Sequence, residues 1–169
     1  MIHLYCGDGK GKTTASCGLA LRGAGSGMRV LFVQFFKNGD SSEVRAMSSL
    51  ESIDTCHPTL YYGRYKTMTE EQREAIRENY SGVMREVFSR SANYGMVILD
   101  EAVSAYSYEM IGQADLLRFL RQEGEKREII LTGRNPAPEL LELADYVTEM
   151  RKVKHPFDEG VLARRGIEY

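Results

Sequence analysis

A doubly wound α/β fold, with a mainly parallel sheet flanked by helices, is predicted by three observations. Short apolar runs alternate along the chain with segments of helical period. The first run leads straight into a glycine-rich bend, and two later runs end in polar residues followed by acidic or basic ones. Apolar runs of this kind suit strands covered on both faces, and strand–helix alternation gives a parallel sheet. The 169 residues read as a single domain, 1–169, long enough to bury its own core.

Ile2 to Tyr5 is the first buried strand. Cys6-Gly7-Asp8-Gly9-Lys10-Gly11-Lys12-Thr13-Thr14 follows, and Thr14 to Leu21 reads as a helix packed on the sheet. A strand, a glycine-rich bend, Gly-Lys-Thr and a helix form the layout of a phosphate-binding P-loop, which makes the expected fold P-loop NTPase-like. Glycines let successive backbone N–H groups face a polyphosphate, and the helix points its positive end at the same anion. Lys12 supplies a point charge to the outer phosphates, and the Thr13 hydroxyl a ligand for Mg²⁺. The strict pattern wants glycine where Cys6 stands; Gly7, Gly9 and Gly11 do the bending instead. A glycine-rich turn with no ligand is the competing reading, and it is disfavoured because Gly-Lys-Thr-Thr sits where a helix must start.

Gly25-Ser26-Gly27 caps that helix. Arg29 to Phe36 is a nearly continuous apolar run, a central strand. Lys37-Asn38-Gly39-Asp40 opens a loop at its C-terminal end, where open α/β sheets place ligands. Ser41 to Leu50 holds a short helix and Ser52 to Cys56 a further strand. His57 to Thr69 is irregular and carries Tyr61, Tyr62 and Tyr65 beside Arg64 and Lys66. Thr69-Glu70-Glu71-Gln72 has capping-box spacing and opens a long polar helix. Its core face is Ile76, Tyr80, Val83, Met84, Val87 and Phe88.

Gly95 to Glu101 is a buried strand ending in Asp100-Glu101, which resembles a Walker B element. Two carboxylates at a strand end can bind Mg²⁺ directly or through water. The alternative is a strand exit with solvated charges, and the P-loop upstream favours the metal. Ala102 to Tyr108 leads into a helix over Ala114 to Glu123. Glu128 to Thr132 is a third buried strand, and Gly133-Arg134 carries Arg134 to the same rim as the P-loop. Pro138 to Ala144 forms a short helix and Asp145 to Met150 a further strand. Lys152 to Gly160 is polar and expected over the sheet edge, while Val161 to Tyr169 either covers the site or packs.

Composition excludes several classes of function. A net charge of −2 does not describe a polyelectrolyte partner for nucleic acid, and Arg164-Arg165 and Arg151 to Lys154 read as solvated basic clusters. Cys6, Cys17 and Cys56 have neither disulfide nor metal spacing, so reduced cysteines in the cytoplasm are expected, two of them in the core. No apolar run reaches membrane length, and the N-terminus is a strand rather than a signal peptide.

Distributed motifs then resemble one family, the ATP:corrinoid adenosyltransferases of the P-loop class. Gly7-Asp8-Gly9-Lys10-Gly11-Lys12-Thr13-Thr14-Ala15 resembles the family's Gly-Asn-Gly-Lys-Gly-Lys-Thr-Thr-Ala. Val33-Gln34-Phe35 with Lys37-Asn38-Gly39, Val97 to Glu101, Leu131 to Pro138, Ala144 to Met150, Lys154-His155-Pro156-Phe157 and Gly166-Ile167-Glu168-Tyr169 match as well. The resemblance implies transfer of the 5′-deoxyadenosyl group of ATP to the Co(I) of a reduced corrinoid, with release of tripolyphosphate. It implies that Gly7 to Thr14 and Arg134 bind the triphosphate, and that Thr13 and Glu101, with Asp100, hold Mg²⁺. Lys12, Arg134 and Glu101 are the expected catalytic groups. A reductase that donates electrons and a homodimer are implied too.

Three features depart from the family's pattern. Asp8 stands where asparagine is usual, and a carboxylate beside a triphosphate is unfavourable unless it points elsewhere. The chain starts directly on the first strand, where relatives carry residues that help cover the corrinoid. There is no tryptophan for the phenylalanine–tryptophan pair said to press on the corrinoid, and Tyr61, Tyr62 and Tyr65 are the aromatics at hand. Two other classes compete: a small P-loop kinase or NTPase using Asp100 or Glu101 toward an acceptor, and a non-catalytic corrinoid or nucleotide carrier.

Overall fold

Four apolar runs and two more polar segments at the sheet's edges become six strands: β1 (Ile2–Cys6), β2 (Val30–Gln34), β3 (Ile53–Cys56), β4 (Met96–Asp100), β5 (Glu128–Thr132) and β6 (Tyr146–Glu149). They are seen in a computed structural model that describes residues 1–168. The strands form one sheet in the order β3-β2-β4-β5-β1-β6, and all five pairings are parallel. The helices are α1 (Lys12–Gly25), α2 (Ser42–Met47), α3 (Glu70–Arg90), α4 (Ala102–Ser107), α5 (Gln113–Glu123) and α6 (Pro138–Leu143).

Alternation along each strand splits the core in two. Val30, Phe32, Met96, Ile98 and Ile130 face Cys17 and Ala20 of α1 and Val44 and Met47 of α2. Leu31, Val33, Val97, Leu99, Ile129 and Leu131 face α3, α4, α5 and α6 on the other side. With both faces covered, every residue of β2 and β4 is buried, which is why these runs show no polar alternation. Each such Phe, Ile or Leu contributes roughly 1.5–3 kcal/mol by leaving water.

Helix ends follow local chemistry. Thr69 and Gln72 form the reciprocal capping box of α3. Ile76, Tyr80, Val83, Met84 and Val87 are its buried face, whereas Phe88 is only half-buried and stacks on Phe119 of α5, with ring centroids 4.8 Å apart. Helix α1 is longer than its apolar pattern suggests, because Lys12 and Thr13 already lie in its first turn. Strand β2 stops at Gln34, short of Phe36, where the backbone turns left-handed at φ 52°. Among the described residues no helix is long and apolar enough to cross a membrane.

This topology sets the site. Strand β5 lies between the P-loop strand β1 and the acidic strand β4, so the C-terminal ends of β1, β5, β4 and β2 stand side by side along one rim.

Candidate functional site

The bend after β1 is shaped by its neighbour as much as by a ligand. A Cβ on Gly7 or Gly9 would lie 2.5 Å from the Met150 carbonyl oxygen, and the Gly9 N–H donates to that oxygen at 2.6 Å. The expectation that all these amides face a polyphosphate is therefore corrected at Gly9, whose N–H is committed to the residue after β6. These glycines are required because a second chain segment passes against the loop. Asp8 is committed in a related way: its carboxylate accepts the Lys152 N–H at 3.0 Å, and that bond holds its pKa below the usual aspartate range. The charge thus points at a backbone donor of the C-terminal segment.

Lys12 is buried, with its Nζ donating to the Gly7 and Gly9 carbonyls at 2.8 Å each. Burial first, and Arg134 second, lower its pKa, with Glu101 and Asp8 opposing. The ammonium is poised on groups that an anion would replace.

Thr13 donates from Oγ1 to Asp100 Oδ1 at 2.9 Å. Thr132 donates to the same oxygen at 2.7 Å, and Gln34 Nε2 to Oδ2 at 3.0 Å. Asp100 is fully buried, and burial raises its pKa against the pull of these donors. Both carboxylate oxygens accept hydrogen bonds inside the protein, an arrangement that suits the water-mediated form of the expected Asp100–Mg²⁺ contact better than the direct one. It fixes the Thr13 hydroxyl, whose lone pairs are left to face the site. Glu101 is different. It sits at the N-cap of α4 in a left-handed conformation, φ 60°, with its N–H on Thr132 Oγ1 and Ser104 Oγ donating to its carboxylate. That unusual backbone turns the Glu101 side chain back over the rim.

One cavity of about 230 Å³ collects these groups. It is lined by Asp8 to Thr14, Glu101 and Arg134, joined by Lys37, His155, Ile167 and Glu168. A neighbouring cavity of about 640 Å³ shares Asp8, Arg134 and His155 and adds Arg64, Lys152, Phe157 and Asp158. The segment expected over the sheet edge thus returns to the P-loop rim. Ile167 and Glu168 reach the phosphate-sized cavity, while Tyr169 lies outside the described residues. Tyr61 and Tyr62 are exposed, and Tyr65 stacks on Tyr108 at 4.1 Å beneath the Arg73 guanidinium.

Gln34, Thr132 and Lys37 stand in stretches that match the family's motifs, but the residue pattern assigns them no role of their own; the structure puts Gln34 and Thr132 on Asp100 and Lys37 at the cavity.

Three comparisons bear on this site. In fold, the chain is similar to the cytoplasmic domain of EssC (TM-score 0.56, 16% identity, 96% of this chain and 33% of that one). It is equally similar to ATPases 2 and 3 of EssC from Geobacillus thermodenitrificans (TM-score 0.56, 15% identity, 98% and 34%). Both support a P-loop ATPase-like architecture and nothing finer. Over all of this chain, it is 36% identical to a corrinoid adenosyltransferase of a Sinorhizobium species, covering 80% of that protein. The values are 33% and 85% for the corrinoid adenosyltransferase of Escherichia coli K12, and 32% and 85% for corrinoid adenosyltransferase CobA of Salmonella typhimurium. The family model described as ATP:corrinoid adenosyltransferase BtuR/CobO/CobP matches residues 1–169. A whole-length family match and relatives above 30% identity carry one conclusion: the chain belongs to the ATP:corrinoid adenosyltransferase family.

Proposed function

We propose that the protein transfers the 5′-deoxyadenosyl group of ATP to the Co(I) centre of a reduced corrinoid and releases tripolyphosphate. The observation that carries this reading is the pair of joined cavities, one furnished for phosphates and one larger and open beside it, with Arg134 on their shared border.

The Co(I) electron pair attacks the 5′ carbon, the carbon–oxygen bond breaks, and its electrons leave on the phosphate chain. No proton moves in that step, so no general base is needed. The protein has to hold carbon and cobalt in line and meet the charge on the leaving group. Lys12 and Arg134 supply cations, and the amides at the start of α1 supply the positive helix end. The corrinoid would enter the larger cavity, between Arg64 and Phe157.

A divalent cation fits the residues present. Thr13 offers a hydroxyl oxygen whose proton is already given to Asp100, and Glu101 lines the same cavity. Among the described residues no group of three His, Cys, Asp or Glu is placed to hold a metal; beside a triphosphate, Mg²⁺ takes most of its ligands from phosphates and water. Bound there, Mg²⁺ would neutralise phosphate charge. Co(I) requires a reductant, so an electron-donating reductase is the partner we expect, and a homodimer is the assembly we expect.

Incubation with Mg-ATP and chemically reduced cobalamin should give the adenosylcobalamin spectrum and one tripolyphosphate per product. Turnover of ATP to ADP and phosphate without a corrinoid would instead identify an ordinary P-loop NTPase or kinase.

A further inference from the structure

Lys37 enters the phosphate cavity from outside the P-loop. It follows β2 and lines the 230 Å³ cavity beside Lys12, Glu101 and Arg134. It also borders the adjoining cavity under Thr13 and Thr14. Nothing in the P-loop pattern points to it.

Two features show that its placement is built. Phe36, the residue before it, is left-handed at φ 52° without being glycine, a strained conformation that persists only where its surroundings enforce it. The surroundings do so. Tyr80, in the middle of α3 and 1% exposed, accepts the Phe36 N–H on its hydroxyl at 2.8 Å, and the two rings meet edge to face at 5.5 Å. A phenol with no role would be better replaced by phenylalanine in so apolar a setting, because burying its oxygen costs energy. Its use here is to turn the chain sharply after β2 and send Lys37 over the P-loop.

The carboxylates near Lys37 are all engaged elsewhere. Asp40 accepts from Asn38 Nδ2 at 2.9 Å, Glu43 from Gln34, Glu101 from Ser104 and Glu168 from Arg164. Among the described residues Lys37 forms no ion pair, although it is half-buried. A cation held without a partner beside an anion-shaped cavity is ready for the anion.

We infer that Lys37 is a further catalytic residue, contacting the phosphate chain and stabilising the tripolyphosphate as it leaves, and that the Tyr80 hydroxyl is its positioning residue. The inference rests on the reading of the cavity as a triphosphate site. It needs no new covalent step: the electron pair still departs on the phosphate chain, and Lys37 opposes it with charge.

Isothermal titration with inorganic tripolyphosphate, with and without Mg²⁺, separates the inference from the reading beneath it. Lys37→Met should weaken tripolyphosphate binding about tenfold to a hundredfold, the range of a hydrogen bond to a charged group. Lys37→Arg should restore most of that loss. Tyr80→Phe should weaken binding by a smaller factor, and the double variant should bind no more weakly than Lys37→Met alone, because one residue acts through the other. Losses that simply add would make Tyr80 structural and overturn the positioning claim. Lys37→Met binding within twofold of wild type, while Lys12→Ala loses affinity, would overturn the inference and leave the triphosphate reading standing. Wild-type protein that binds neither tripolyphosphate nor ATP would overturn both.

Discussion

The two rims of the sheet carry similar residue types arranged to opposite ends. At the N-terminal rim, charges are spent on one another. Asp54 of β3 accepts from the Tyr94 hydroxyl and from Arg29, with Arg90 3.6 Å away. Arg127 pairs with Glu123 and donates to the Ser91 and Tyr94 carbonyls. At the C-terminal rim, Lys10, Lys12, Lys37 and Arg134 surround one cavity, and none has a carboxylate within ion-pairing distance among the described residues. The buried polar groups beneath that cavity are satisfied by neutral donors to Asp100. The contrast teaches that one rim is closed for stability and the other is held open for an anion.

The contrast can be broken from either side. The largest effect should come at the closed rim. Arg127→Ala leaves Glu123 with Lys126 as its one cation and takes the donor from two carbonyls, and should cost up to about 3 kcal/mol of stability, read by chemical denaturation, with ATP affinity unchanged in the folded fraction. A loss of ATP affinity there would end the division of labour. Lys12→Ala should do the reverse, lowering ATP affinity about a hundredfold, the upper range for a hydrogen bond to a charged group, while the unfolding midpoint stays within a few degrees.

Thr132→Val tests the join between the halves of the open rim. The Asp100 carboxylate loses one donor and the Glu101 N–H loses its acceptor, so about 1–3 kcal/mol of stability should go, and half-saturation by Mg²⁺ should move upward. An unchanged metal profile would separate Thr132 from the Thr13–Asp100 pair.

The pH dependence follows from Lys12. Its pKa is lowered by burial and then by Arg134, so its proton is lost below the ordinary lysine range. Only the protonated form attracts phosphate, and ATP affinity should therefore fall as pH rises through the alkaline region. Lys12→Arg should flatten that fall, and a wild-type profile that is already flat would detach the lysine from binding. The smallest effect is expected at Asp8. Asp8→Asn keeps an oxygen for the Lys152 N–H and should leave the unfolding midpoint where it is, as for most surface substitutions. Asp8→Ala removes the acceptor and should loosen the C-terminal segment, seen as faster amide exchange at Lys152.

Local pattern alone makes much of the molecule legible. Glu128–Thr132 and the capped start of α3 fall where their residues place them, because apolar runs and capping boxes act over a few neighbours. Lys12, Thr13, Glu101 and Arg134 do share one cavity. One expectation fails for a reason local pattern does not carry. Gly9 reads as facing a ligand, yet its N–H is taken by Met150, far away in the chain, just as Asp100 is held by Gln34 and Thr132.

By itself, then, the sequence determined the elements, the phosphate-binding bend and the family. Those depend on backbone preference and hydrophobic period, which are written in adjacent residues. Only the tertiary structure decided which strands lie side by side, and so which hydroxyls meet Asp100 and which lysine overhangs the P-loop. The hydroxyls on Asp100 come from residues 32 and 87 positions away, and a hydrogen bond across such a span depends on sheet order and register, not on spacing along the chain.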